Sequence, residues 1–284
     1  MTTNRQGNLT KVISAIILAT ISITFPFKSY AVNFNALECA LSEVVETPVT
    51  FFVHDDLKHI TNTQDKINEW IEWSNITLKN SCIPLKRTLN KVIYLANDPY
   101  IYFSDLTTSE RYLRLKYKEE FDFIDSDIGH YYGIVFPGSS DAVCTKPCGI
   151  TKPGLVPNYF HVKIQDSCPG LLLEHELGHL AGAMHRHKEV IRPNSSFKEW
   201  RESRSVWLQS MLKEYGFAYR CGSYGSVMAS CRNTILPFYS TPKISINGEK
   251  CGDEHTANNT KLMLEHYDKI KKMRVLNGKY TATD

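Results

Sequence analysis

Apolar and polar positions along this chain recur with periods that predict its elements. A β-branched and aromatic run at 48–53 (PVTFFV) predicts a first strand. Between 63 and 78, Ile67, Trp70, Ile71 and Ile76 recur at near-helical spacing, and Thr63 is placed to cap that helix. Residues 85–96 (LKRTLNKVIYLA) alternate and then turn apolar, which predicts a second strand, and Asn97-Asp98-Pro99 reads as a turn. The chain thus opens β-α-β, the start of an α/β sheet with parallel strands. A helix with a charged, solvated face is expected over 109–121, a third strand over 131–136 (YYGIVF) and irregular chain over 144–155. The last strand is expected over 159–165 (YFHVKIQ), and its His161 is read as structural. A helix is expected over 197–215, rich in Trp200, Trp207 and Leu212. A closing helix is expected over 260–273, where Leu262, Leu264, Tyr267, Ile270 and Met273 share helical spacing.

The stretch 171–187, LLLEHELGHLAGAMHRH, carries more than a core pattern. His175, Glu176, His179, Gly182 and His185 are spaced H-E-x-x-H-x-x-G-x-x-H. On a helix, positions i and i+4 lie about 40° apart in projection, so His175 and His179 can offer nitrogens to one metal ion. Glu176 can reach a water there without binding the metal itself. In a continuous helix His185 would lie about 15 Å beyond His175 and could not share the ion. Gly182 allows the chain to turn, because glycine accepts positive φ and ends helices at little steric cost. Three imidazoles with one open position make a catalytic zinc arrangement; a structural site would be closed by a fourth protein ligand. The rival reading is an amphipathic core helix with incidental histidines. His187 is the rival third ligand, and the glycine spacing favours His185.

The five motif positions resemble those of the metzincin zinc peptidases, and Gly225-Ser226-Val227-Met228-Ala229 resembles the methionine turn of that clan. The look is closest to bacterial secreted reprolysin (adamalysin)-like metalloproteases. The resemblance implies an α/β (α+β) metzincin-type zincin domain. It would have a twisted, mostly parallel sheet with one antiparallel edge strand, a long zinc-site helix and a mostly helical C-terminal subdomain. It implies one catalytic Zn2+ on His175, His179 and His185, Glu176 as general base, and Met228 as a packing platform. Substrate would lie antiparallel to an edge strand near Gly149 and Ile150. Pro237 and Phe238 would stand in the wall of the S1′ pocket; a plain Pro-bounded surface loop is the other reading of that segment. Two positions depart from relatives of this kind: Arg186 stands where an Asp is frequent, and Ser230 where astacins and serralysins carry a zinc-facing Tyr.

The first thirty-one residues read as a secretory signal. Arg5 and Lys11 lead an apolar run, and Ser29-Tyr30-Ala31 places small residues before a cleavage after Ala31. The run holds Ser, Thr and Pro26 and falls short of the roughly 20 apolar residues of a membrane span. Removing Arg5, Lys11 and Lys28 turns the formal +3 into 30 basic against 30 acidic side chains, which gives no sign of a nucleic-acid partner or an acidic membrane. All eight cysteines follow the signal, as a disulfide framework in an oxidising compartment would have them. A structural disulfide suits Cys39 better than an inhibitory contact with the metal, and a Cys221–Cys231 bridge would clamp the methionine turn.

The expected organisation is a signal peptide at 1–31, a short leader at 32–47 and one metallopeptidase domain at 48–284, its upper subdomain reaching about 182. The expected function is a secreted zinc-dependent endopeptidase, extracellular or periplasmic, monomeric, acting on protein or peptide substrates, with no stable membrane insertion. The alternative is a secreted metzincin-fold binding protein or toxin that holds zinc without general proteolytic turnover.

Overall fold

In the computed structural model, the strand-helix-strand opening forms around a first strand longer than its apolar run. The structure describes residues 34–35, 37–39, 43–60, 62–96, 100–138, 147–152, 158–164, 168–230 and 234–278. The expected signal at 1–31, the 97–99 turn, Cys144 and Cys231 lie outside them. The described residues belong to one unit, Asn33–Asp284.

In chain order the elements are β1 (Phe34–Asn35), β2 (Val45–Val53), α1 (Thr63–Asn80), β3 (Leu85–Tyr94), α2 (Leu106–Lys116), α3 (Lys118–Ser126), β4 (Tyr131–Pro137), β5 (Gly149–Thr151) and β6 (Tyr159–Ile164). They continue with α4 (Leu172–Ala181), α5 (His187–Val190), α6 (Phe197–Glu202), α7 (Val206–Met211), β7 (Arg220–Cys221), β8 (Tyr224–Gly225), β9 (Thr234–Ile235), β10 (Thr241–Ile246), β11 (Glu249–Cys251) and α8 (Asn259–Leu276).

Five strands form the main sheet in the order β3-β2-β4-β6-β5. The first four run parallel, and β5 pairs antiparallel with β6 at the edge, with Ile150 opposite His161. Val49, Phe51 and Val53 of β2 pack with Ile67 and Trp70 of α1 and with Leu173 and Leu177 of α4. Phe52 faces the other way, onto Leu106 and Leu113 of α2 and Phe121 of α3. Helices on both faces are why β2 and β4 read as nearly unbroken apolar runs.

Several boundaries differ from the expectations for local reasons. Asn62, not Thr63, sits at the cap of α1; Thr63 is the first helical residue, and its hydroxyl donates to the Leu57 carbonyl at 3.4 Å. The helix expected over 109–121 is two, separated at Tyr117, with Asp105 capping the first by accepting the Thr108 N–H at 3.0 Å. The helix expected over 197–215 is also two short ones, α6 and α7, because Ser196 and Ser205 each cap a new start. Their apolar spacing runs on across the break, so periodicity alone does not show it.

The leader is not separate from the fold. β1 pairs with β10, with Phe34 opposite Ile246, Cys39 is bonded to Cys82, and β2 already starts at Val45. The region after Gly182 is not mostly helical. Among the described residues it holds three short helices, one long helix and two small sheets, β7-β8-β9 and β10-β11, the latter joined by β1. Cys221 bonds Cys251, not Cys231, and so ties β7 to β11. Cys148–Cys168 joins the chain before β5 to the approach of α4. These bridges suit an oxidising, extracellular environment. Among the described residues, no helix is long and apolar enough to cross a membrane.

Candidate metal centre

Helix α4 carries the motif between the two halves of the chain. Its inner face buries Leu172, Leu173, Leu177 and Leu180. It ends at Gly182, whose φ of 100° lies where a side chain is strained. The Gly182 N–H donates to the His179 carbonyl at 3.0 Å and the Ala183 N–H to the Gly178 carbonyl at 2.9 Å, a Schellman ending. The chain then returns along its neighbour: the Met184 N–H donates to Gly216 at 2.8 Å, and the Ala218 N–H donates to Met184 at 2.9 Å. This pins the segment that presents His185.

The three imidazoles converge. His175 Nε2 lies 3.0 Å and His179 Nε2 3.2 Å from His185 Nε2. The far nitrogens are already used: His175 Nδ1 donates to the Val227 carbonyl at 2.8 Å, and His179 Nδ1 to the Ala183 carbonyl at 2.8 Å. The Nε2 atoms of His175 and His179 therefore carry lone pairs, not protons, and one proton on His185 could satisfy only one of them. A cation resolves this. Tetrahedral zinc with Zn–N of roughly 2.0–2.1 Å sets its nitrogens about 3.3 Å apart, close to what the side chains show. His175, His179 and His185 can thus hold a metal ion, each offering one nitrogen.

Burial lowers all three, and neighbouring imidazoles add to the effect on His175 and His179: His175 is pushed down to about 4 and His179 well below its ordinary value. His185 is lowered by burial, with Glu189 opposing. Neutral imidazoles are the form that ligates. Glu176 is 4% exposed, and burial pushes its carboxyl up to about 8 against a hydrogen bond from Thr151. The edge strand passes directly over it. A Cβ on Gly149 would stand 2.3 Å from Glu176 Oε1.

Met228 is fully buried beneath α4. A Cβ on Gly178 would come within 2.5 Å of its sulfur and 3.0 Å of the Tyr239 hydroxyl oxygen. The residue before it, Val227, supplies the carbonyl that orients His175. The methionine loop is thereby a floor under the imidazoles.

The imidazoles and Glu176 line a cleft of about 840 Å³ with Gly149, Ile150 and Thr151. Pro237 and Phe238 are not brought to it. Phe238 is fully buried with Cys221, Ile244, Ile246 and Cys251, and the Pro237 carbonyl accepts from Asn80 Nδ2 at 2.9 Å. The Cys221–Cys251 bridge belongs to that cluster, which explains why the phenyl ring turns inward. Val190, Trp200, Leu208 and Ile235 line the cleft instead. Trp200 and Leu208 carry only the ordinary signal of an amphipathic helix, so the sequence marks them as packing. His187 packs edge-to-face against Phe217, with ring centres 5.1 Å apart, and does not join the cluster. His161 is buried, bonded through Nδ1 to the Phe103 carbonyl and through Nε2 to the Tyr159 hydroxyl.

One further element lies behind the site. Glu174, one residue before His175, is fully buried against Arg87 and Tyr239. A charge inside LLLEHELGHL is the sequence signal for it.

No family model and no curated relative matches this sequence. Among solved structures, the chain is similar to one in the structure of a chaperone–substrate complex, with a TM-score of 0.57 and 16% identity over 81% of this chain and 36% of that one. It is also similar to metalloproteinase-II from Bacteroides fragilis, with a TM-score of 0.43 and 17% identity over 85% of this chain and 58% of that one. The chain spans about a third and about three fifths of those two lengths. The first likeness bears on the fold alone: a mixed α/β arrangement with a mostly parallel sheet.

Proposed function

We infer that this protein is a secreted zinc-dependent endopeptidase of metzincin type, released by cleavage near Ala31. The observation that carries the reading is the convergence of three imidazole nitrogens in one cleft with a buried carboxylate under β5. A zinc ion on His175, His179 and His185 would supply Lewis-acid polarisation of a carbonyl and a water that is easier to ionise. The chain's own groups do the rest. Among the described residues β5 is the edge of the main sheet, and its outward main-chain groups would hold an extended substrate in register. Glu176, close under β5, accepts the proton of the attacking water and returns it to the leaving amine. Burial raises the Glu176 carboxyl, and a dication on the three imidazoles would draw it back toward the ionised form that a base requires. The Val227 and Ala183 carbonyls keep the protons of His175 and His179 on Nδ1.

The test is digestion of a diverse peptide library, read by mass spectrometry, beside a chelated sample and Glu176→Ala. Cuts confined to the metal-loaded wild type support the reading. Equal cutting by Glu176→Ala sinks the mechanism, and no cuts by folded, zinc-loaded protein favour a binding role.

A further inference from the structure

The cleft extends past the imidazoles into the segment between Gly182 and β7. There Met184, Val190, Trp200 and Leu208 form an apolar wall, and Arg204 lines the same cavity. Trp200 is buried, and the Arg204 guanidinium carbon stands 5.2 Å from the centre of its ring system. The loop bearing Arg204 is held in place. The Arg204 N–H donates to the Arg201 carbonyl at 3.0 Å, and the Gln209 side-chain amide donates to the Arg204 carbonyl at 2.8 Å. The backbone is therefore fixed while the side chain remains exposed.

The charges around it are unequally committed. Glu189, also on the cleft wall, is saturated: Arg186 pairs with it through Nε at 2.9 Å and through Nη2, and the Ser230 hydroxyl donates to it at 2.7 Å. Glu176 lies under β5. Among the described residues, Arg204 has no carboxylate partner. A guanidinium stacked on an indole loses little further freedom on binding and keeps its planar fork of donors free at the edge. That fork matches a carboxylate, and the wall beside it matches an apolar side chain.

We propose that Arg204 is a specificity-determining residue that takes a carboxylate of the substrate polypeptide, while a neighbouring apolar residue lies against Trp200 and Leu208. The carboxylate is an Asp or Glu side chain or a free C-terminus. The proposal rests on the peptidase reading and names its substrate class: segments in which an apolar residue adjoins a negative charge.

The test uses peptides identical except for Glu, Gln or Lys at each position near the cleaved bond, each with a free or amidated C-terminus. At one position, wild-type kcat/KM for the Glu peptide is expected to exceed that for Gln about tenfold, with the advantage shrinking in high salt. Arg204→Gln is expected to erase the Glu/Gln ratio and Arg204→Glu to turn it toward Lys. An advantage confined to free C-termini identifies the terminal carboxylate as the ligand. Equal rates throughout, or a ratio unchanged in Arg204→Gln, overturn the proposal. Binding of the same peptides to zinc-loaded Glu176→Ala, by fluorescence anisotropy, separates this result from failure of the peptidase reading. A carboxylate preference that disappears when Arg204→Gln is added supports the role of Arg204 even if no peptide is cut, and its absence there counts against it.

Discussion

Arg87 and Glu174 meet inside the protein as a two-pronged ion pair, Nε to Oε2 and Nη2 to Oε1, each at 3.0 Å, with neither side chain exposed. Arg87 Nη1 donates to the Thr47 hydroxyl at 2.9 Å, and the Tyr239 hydroxyl donates to Glu174 Oε1 at 2.8 Å. The backbone of Arg87 is bonded in both directions to the side chain of Asn75 on α1. Strands β2 and β3, helix α1 and the Tyr239 loop are thus tied to the residue that precedes His175. The pair fixes how α4 is turned, and so where His175 and Glu176 point.

Breaking one side of this pair leaves a buried charge alone. Arg87→Met is expected to lower stability by about 3–5 kcal/mol in urea unfolding of the zinc-loaded protein. The double variant Arg87→Met, Glu174→Met removes both charges and is expected to lose less than Arg87→Met alone. If the double variant loses as much as the sum of the singles, the two groups are not coupled.

Gly182 carries the second expectation. Alanine there would adopt left-handed backbone at a cost of about 1–2 kcal/mol, and its Cβ would stand 2.9 Å from the Met211 carbonyl oxygen. The turn should open and move His185. Zinc affinity, measured by competition with a chelator, is expected to fall about tenfold or more. Unchanged affinity would show that other contacts, such as those of Met184, place His185.

Gly149→Ala addresses the carboxylate without touching a ligand. The added Cβ would lie 2.3 Å from Glu176 Oε1, so either the strand or the carboxylate must move. A displacement of this size at a general base costs about a hundredfold in turnover. Zinc content, measured by elemental analysis, is expected to stay at the wild-type level. Loss of zinc in step with turnover would mean that the damage reaches the imidazoles.

The three-histidine metal site and the parallel opening were legible because each rests on local spacing. His175 and His179 are one turn apart, and the glycine that returns His185 is itself in the sequence. The deep strands were legible because both faces are covered. What was not legible depends on contacts between distant segments. Nothing near Phe238 announces that Cys251 will draw it into a core, and nothing near Leu208 announces a cleft. The break between α6 and α7 was hidden by an apolar period that continues across it. Arg87 looks like a strand residue on a solvated face until Glu174 is placed opposite.

His161 yields an expectation about acid. It is fully buried in β6, with Nδ1–H bonded to the Phe103 carbonyl and Nε2 accepting from the Tyr159 hydroxyl, so both nitrogens are satisfied only in the neutral ring. Burial pushes it down to about 4, against about 6.5 in an unfolded chain. Between those values the unfolded chain binds a proton that the folded one does not. Stability contributed by the neutral ring is therefore whole above about pH 6.5, falls as the pH drops, and levels off below about 4, with a total on the order of 3 kcal/mol. The measurement is urea unfolding of chelated protein at several pH values, so that metal release does not contribute. His161→Gln, compared with its own stability at pH 7, is expected to show a shallower decline toward pH 4.5, by up to about 1.4 kcal/mol per pH unit. Equal slopes would mean that the folded protein takes up this proton as readily as the unfolded chain.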